Sequence, residues 1–242
     1  MMSYSEEGRA AWDRMARSNA MHYILSGREN WTPEEFFAVG ERFIATEVLP
    51  RLLPAVGRVR AVDLGCGIGR LARPLAAHFQ EVIGLDISSE MIARAREINV
   101  DRLNVKFQAC SGAGLEGVSD ASCDLAFSYI VLQHIPDKSV VWRYFSEFAR
   151  VLRPGGQVLA QVSTERRTIA RRIKLGLRAA LGGVADAIGI RRLYSKRPRE
   201  PFNWGYPVPA AELEAHLRSI GMDSISFEGR DTATTWISAR RP

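Results

Sequence analysis

From residue 59 onward, short apolar runs bounded by Gly, Asp or Ser alternate with longer stretches whose apolar positions recur every three or four residues. The short runs cover residues 59–64, 81–86, 105–110, 124–128 and 157–162. Their near-continuous hydrophobicity predicts strands covered on both faces, as in a parallel sheet. Helical periodicity lies between them at 70–79, 89–99 and 137–152, the last followed by the stop signal Arg153-Pro154-Gly155-Gly156. A further helix is predicted over 209–220, closed by Gly221. Two β-rich runs, 224–228 and 232–238, then flank Gly229-Arg230-Asp231 and predict a hairpin. Ahead of the first strand, 7–25 and 33–53 read as helices, the second capped by Thr32 with Pro33 at its first position. The alternation defines an α/β fold. We divide it into a helical cap (1–58), a sheet core (59–163), an insertion (164–206) and a helix with hairpin that completes the core (207–242).

Composition adds limits. With 46% hydrophobic and 25% charged residues over 242 positions, the chain has the make-up of a folded protein with a sizeable core. No apolar run approaches the roughly 18 residues a membrane span requires; the greasiest stretch, 179–190, is short and carries Asp186. The first ten residues contain acids and lack the apolar core of a secretory signal, so a cytoplasmic location is expected. Cys66, Cys110 and Cys123 form no Cys-x-x-Cys pair and read as reduced, buried residues. His22, His78, His134 and His216 have no metal-ligand spacing, and no metal is expected.

The net charge of +6 is unevenly placed. Between Thr164 and Pro201 eleven Lys and Arg face three acids, a local excess of +8 that leaves the rest of the chain near neutral. On a helical wheel Ile169, Ile173, Leu177, Ala180 and Leu181 share one face, with Arg171, Lys174 and Arg178 opposite. Such a helix can lie on an anionic membrane surface, grip an acidic or phosphorylated substrate, or pack its apolar side while its charges are solvated.

The chemistry is concentrated in Ala61-Val62-Asp63-Leu64-Gly65-Cys66-Gly67-Ile68-Gly69-Arg70, a buried strand running into a glycine loop and a helix. Glycines let a ligand approach the backbone, and the loop falls at the carboxyl edge of the sheet, where α/β proteins bind nucleotides. The spacing is Gly-x-Gly-x-Gly, with Arg70 where a dinucleotide fingerprint departs from it. Asp63, two residues ahead of the first glycine, would repel a pyrophosphate but suits a ligand bearing an ammonium and a sulfonium. Asp86, 23 residues after Asp63, ends the next strand, where its carboxylate can accept the hydroxyls of a ribose. That polarity favours S-adenosylmethionine.

These residues resemble the class I S-adenosylmethionine-dependent methyltransferases of small-molecule type. The likeness spans roughly 59–162 and the C-terminal hairpin. Val62 to Arg70 is similar to the family's first motif, and Gly84-Leu85-Asp86-Ile87-Ser88 to its ribose-binding strand. The run Ser122-Cys123-Asp124-Leu125-Ala126-Phe127-Ser128-Tyr129 resembles the strand facing the transferred methyl group, and Val151-Leu152-Arg153-Pro154-Gly155-Gly156 the turn before the fifth strand. The resemblance implies a Rossmann-like, seven-stranded, mostly parallel sheet with helices on both faces and an antiparallel last strand. It implies cofactor contacts from Asp63, Gly65, Cys66, Gly67, Arg70, Asp86, Ile87 and Ser128. Where the family often places an acid near the adenine amino group, this chain has Ser111-Gly112, so Ser111 and backbone are expected to hold the adenine.

Methyl transfer from a sulfonium relies mainly on positioning, and a base is needed only where the acceptor must lose a proton, as a hydroxyl must. His134, just beyond the fourth strand, is the candidate base; its alternative is to cap or pack the next helix. Tyr129 either bounds the methyl group or walls the cofactor pocket. Trp12, Tyr23 and Trp31 could close a helical lid over the site, with Trp12 read as lid and Trp31 as core. The expected activity is methyl transfer to a small-molecule acceptor, at a hydroxyl of a natural product, sugar or lipid-linked compound. The alternatives are an RNA methyltransferase using the basic insertion and a silent cofactor-binding protein. Nucleic acid is the weaker reading because 127–130 lacks the Pro-Pro-aromatic run by which many amino-methylating nucleic-acid enzymes hold a base, and no RNA-binding module is appended.

Overall fold

The structure, a computed structural model, describes residues 4–164 and 207–242. Its seven strands are β1 (Arg60–Leu64), β2 (Glu81–Asp86), β3 (Val105–Ala109), β4 (Cys123–Ser128), β5 (Leu152–Val162), β6 (Asp223–Glu228) and β7 (Thr235–Arg240). They form one sheet in the order β3-β2-β1-β4-β5-β7-β6. β1 to β5 pair in parallel, and β7 lies antiparallel between β5 and β6. The helices are α1 (Tyr4–Ile24), α2 (Pro33–Phe43), α3 (Ala72–Leu75), α4 (Ser89–Ile98), α5 (Lys138–Val151) and α6 (Ala210–Ser219). Strand order reverses between β1 and β4, so the crevice beyond their carboxyl ends is where a ligand is expected.

The core has a layer on each face of the sheet. On one, α5 presents Val141, Tyr144, Phe145, Phe148 and Val151 against β4, β5 and α6; a fully buried side chain of this kind is worth roughly 1.5–3 kcal/mol. On the other, Ile44, Val48, Leu71, Leu75 and Ile92 pack on Leu125, Phe127 and Leu159. A third cluster joins α1 and α2 to Ile68 and Met91.

Several boundaries differ from the periodicity, for local reasons. The helix expected over 7–25 is interrupted at Asn19, which adopts φ −161° and caps the last turn by accepting the backbone N–H of His22 (3.1 Å). The helix expected over 33–53 remains α-helical only to Phe43. It continues as a π turn over Ile44–Val48 and a 3₁₀ turn over Leu49–Arg51, where Pro50 has no N–H to extend the ladder. The helix over 70–79 shrinks to Ala72–Leu75 because Asn104 Nδ2 donates to the carbonyls of Ala76 (2.8 Å) and Phe79 (3.2 Å) and ends it. The fifth strand begins at Leu152, since Leu152 pairs with Cys123 and Gly155 and Gly156 bond to Arg241. The hairpin turn lengthens to 229–234, held by Thr232 and Thr235 hydroxyls that donate to the Gly229 carbonyl (2.6 and 2.7 Å).

The cysteines are free and buried, and burial pushes all three thiols up, Cys110 to about 11, so none is a ready nucleophile. Among the described residues no group of His, Cys, Asp and Glu could hold a metal ion, and no helix is long and apolar enough to cross a membrane. The basic insertion, apart from Thr164, lies outside the described residues. The described chain on either side of it meets: Val208 N–H donates to the Ser163 carbonyl (2.8 Å).

Asp124 fastens the entry to the sheet. Its buried carboxylate accepts the N–H groups of Val59 and Arg60 (2.8 Å each) and pairs with Arg153 (3.3 Å). Asp124→Ala leaves two part-buried backbone donors without their acceptor and removes one partner of Arg153, and chemical denaturation should register a loss of about 2 kcal/mol. A change below about 0.5 kcal/mol would show that the clamp is not holding the strand.

Candidate active site

β1 ends at Leu64 and the chain turns through Gly65 (φ 76°) and Gly67 (φ 55°), left-handed conformations that favour glycine. Space imposes the same choice. A Cβ on Gly65 would stand 2.1 Å from Val131 Cγ2, and one on Gly67 2.6 Å from Ile24 Cδ1. The glycine turn is thus sandwiched between the loop after β4 and the end of α1. Backbone N–H groups of Gly65 and Cys66 donate to the Leu85 carbonyl (2.7 and 3.0 Å), which sets the turn beside the tip of β2.

At that tip Asp86 accepts from Gly67 N–H at Oδ2 and Ser88 N–H at Oδ1, both 2.9 Å. Each oxygen keeps a further lone pair, and the residue lines a cavity shared with Asp63 and Arg70. Burial raises the Asp86 carboxyl to about 6, against the two backbone donors, which lower it; nearby Asp13 adds to the rise. Burial raises Asp63 to about 7, Arg70 opposing and Asp86 reinforcing. Asp63 Oδ2 and Arg70 Nε are buried with no hydrogen-bond partner. The cavity therefore holds two acids and a cation, of which Asp63 and Arg70 each keep a polar atom that no described residue satisfies.

The same cavity is lined by Gly65, Cys66 and Gly67 from the turn, Ile87 after β2 and Gly112 after β3. Tyr129 and His134 line it from the β4 side. Two expected cofactor contacts do not line it. Ser128 is fully buried with its hydroxyl donating to the Leu64 carbonyl (3.1 Å), and Ser111 is exposed and bonded through its hydroxyl and N–H to Glu116. Tyr129 is half-buried against Phe43 (centroids 4.3 Å) and Trp236 (5.4 Å, stacked), and burial raises its phenol, Arg70 opposing. His134 meets Trp12 edge-on at 6.1 Å.

The N-terminal helix closes one side. Trp12, Tyr23 and Ile24 line the cavity, whereas Trp31 packs on the third core cluster, its Nε1 donating to the Leu25 carbonyl (3.0 Å). Three contacts hold α1 in place: Arg9 donates to the Cys110 carbonyl (3.1 Å), Ser88 Oγ donates to Asp13 (2.6 Å), and Arg17 pairs with Glu90 (2.8 Å). Sequence reasoning overlooked this fastening, and it overlooked Tyr144, whose place in the α5 periodicity is that of any core residue although it lines the cavity. It also missed Ile130, a β-branched residue at φ 57° immediately after Tyr129, a strained conformation costing roughly 1–3 kcal/mol. That turn brings Tyr129 and Val131, on either side of it, to the same cavity.

A cavity at the carboxyl edge, a glycine turn after β1 and an acid at the tip of β2 define a nucleoside-binding site of the α/β class. Residues 62–160 match the family described as a methyltransferase domain. Among its relatives is the ubiquinone biosynthesis O-methyltransferase of Paracidovorax citrulli, 24% identical over 96% of this chain and 84% of that protein. Another is the ribosomal RNA large subunit methyltransferase G of Streptomyces coelicolor, 37% identical over 55% of this chain but only 37% of the relative. The fold is similar to that of magnesium protoporphyrin IX methyltransferase from Synechocystis with bound S-adenosylhomocysteine, at a TM-score of 0.61 and 19% identity over 98% of this chain and 99% of that one.

The buried acids carry a stability consequence. A carboxyl raised to about 7 in the folded state stabilises fully below its unfolded value near 4, and that contribution is lost as pH rises through 7. Asp63→Asn should therefore raise the Tm of the unliganded protein by several degrees, on the order of 3–6 °C, at pH 8 and scarcely at pH 4. An equal shift at both pH values would contradict the burial of an ionising carboxyl.

Proposed function

We propose that the protein transfers a methyl group from S-adenosylmethionine to a hydroxyl of a small-molecule acceptor. The observation that carries this reading is a single cavity that joins Asp63, Asp86 and the glycine turn to Tyr129 and His134. When bound, the cofactor supplies an electrophilic methyl group on a sulfonium and leaves as neutral S-adenosylhomocysteine. Asp86, with lone pairs facing the cavity, would hold the ribose diol, and Asp63, with an orphaned oxygen, would face the ammonium of the methionine end. Gly112, buried at the end of the β3 edge of the cavity, would lie against the adenine in place of an acidic side chain.

On the acceptor side, His134 would take the proton that the hydroxyl loses as its oxygen bonds to the methyl carbon. An imidazole is suited to that role at neutral pH. Tyr129, fixed by Phe43 and Trp236, would wall the methyl group, and α1 with Trp12 would exclude water. The O-methyltransferases among the relatives support a hydroxyl acceptor; the ribosomal RNA relative supports a second reading in which RNA is the acceptor.

Incubation with methyl-labelled cofactor, a fractionated small-molecule extract and total RNA tests the choice. Label is expected in an alkali-stable small-molecule ether; label confined to RNA would transfer the proposal to the second reading. With an acceptor in hand, His134→Ala should lower kcat by about 10²–10³ while S-adenosylhomocysteine affinity stays within twofold. An unaltered kcat would remove His134 from the chemistry.

A further inference from the structure

We propose that the acceptor carries its hydroxyl on an uncharged, apolar body and that Ile130 seats that body; the assignment rests on the hydroxyl reading of the site given above. Ile130 adopts φ 57°, a left-handed conformation that a β-branched residue ordinarily avoids. It is also 39% exposed, one of four large hydrophobic side chains so placed among the described residues, and it belongs to none of the three apolar clusters. The turn between Tyr129 and Val131 needs the positive φ, but asparagine or glycine would supply it with less strain. The isoleucine thus adds backbone strain and half-exposed apolar surface without a place in the core. Ala121, Ser224 and Asp231, the other described non-glycine residues with positive φ, are not β-branched and do not line the cavity; Ile130 is and does.

The chemistry of the occupant follows from the surroundings of Ile130. Beyond β4 and along α5 the cavity is lined by Tyr129, Ile130, Val131, His134, Ile135 and Tyr144, and α1 adds Trp12. The polar side-chain groups of that wall are two phenols, an imidazole and an indole N–H; among the described residues it has no carboxylate, ammonium or guanidinium. The ionic residues that line the cavity, Asp63, Arg70 and Asp86, stand at the cofactor end, where Asp63 and Arg70 influence one another's charge. A sugar needs a hydrogen-bond partner for most of its hydroxyls, and an anionic acceptor needs a cation; without them burial of either is unfavourable. An apolar body has no such need, and it gains by covering Ile130 and the rings beside it. Its one polar requirement is a partner for the reacting hydroxyl, which His134 meets.

Calorimetry on the full chain saturated with S-adenosylhomocysteine tests this with three probes: 2-naphthol, methyl β-glucoside and phenyl phosphate. The wild type is expected to bind 2-naphthol at least about tenfold more tightly than the other two. Ile130→Asn should weaken 2-naphthol about tenfold while S-adenosylhomocysteine affinity stays within about twofold, and Ile130→Val should keep most of the 2-naphthol affinity. Relief of strain in Ile130→Asn should also raise the Tm of the unliganded protein by about 2–4 °C, a gain in stability coupled to a loss of binding that a merely structural residue would not show. Glucoside or phosphate bound as tightly as 2-naphthol, no binding of any probe, or undiminished 2-naphthol affinity in Ile130→Asn would overturn the proposal, and the wild-type comparison stands even if the variant does not fold. In the labelled-extract reaction the product should favour octanol over water at least about tenfold at pH 7. A labelled small molecule that stays in water would overturn the apolar acceptor and leave methyl transfer standing. Label confined to RNA, or no binding of S-adenosylhomocysteine, would instead bring down the reading on which the assignment rests.

Discussion

Two carboxylates buried at the carboxyl edge of a parallel sheet, with no protein partner able to neutralise them fully, are the constraint on which the rest of this molecule depends. Asp86 is held by backbone N–H groups and Asp63 by almost nothing, and burial moves both well above ordinary carboxylates. A fold selected for stability alone would replace them, because apolar or amide side chains would sit there at less cost. Their retention makes sense if a cationic, hydroxyl-bearing ligand completes the cavity. The glycine turn has the complementary role, since it brings backbone to the same place without side chains between.

The surrounding elements are organised about that cavity. The loop after β4 leans on Gly65 through Val131, the end of α1 leans on Gly67 through Ile24, and α2 leans on Arg70 through Gly40. Each approach requires a glycine, so three separate elements are keyed to the cofactor turn by the absence of a Cβ. Asp13, on the lid helix, accepts from Ser88, whose own N–H donates to Asp86. The acid at the tip of β2 and the cover above it are therefore linked through one serine. Methyl transfer, which relies on alignment and exclusion of water, is the chemistry such keyed packing serves.

Much of this was legible in the residues. Buried parallel strands announce themselves by composition, and Asp63, the glycines and Asp86 are spaced by the length of one βαβ unit, so the core and the cofactor side of the site could be read directly. What escaped depends on long-range contacts. The first half of β5 is a strand because Cys123 and Arg241 lie beside it, which no local pattern reveals. Ser128 looked available, but β4 is buried on both faces and its hydrophobicity gives no alternation to say which way a side chain points. Tyr144 shares the period of core residues, and the positive φ of Ile130 leaves no trace in a residue type that ordinarily avoids it.

Binding of a cationic, hydroxyl-bearing ligand should ionise carboxyls that burial otherwise holds partly protonated. Calorimetric titration of S-adenosylhomocysteine in buffers of differing ionisation enthalpy counts the protons exchanged. The account predicts net release near pH 6.5, of the order of half to one proton, falling toward zero by pH 8.5. Proton uptake at pH 6.5, or an exchange that does not change with pH, would contradict it.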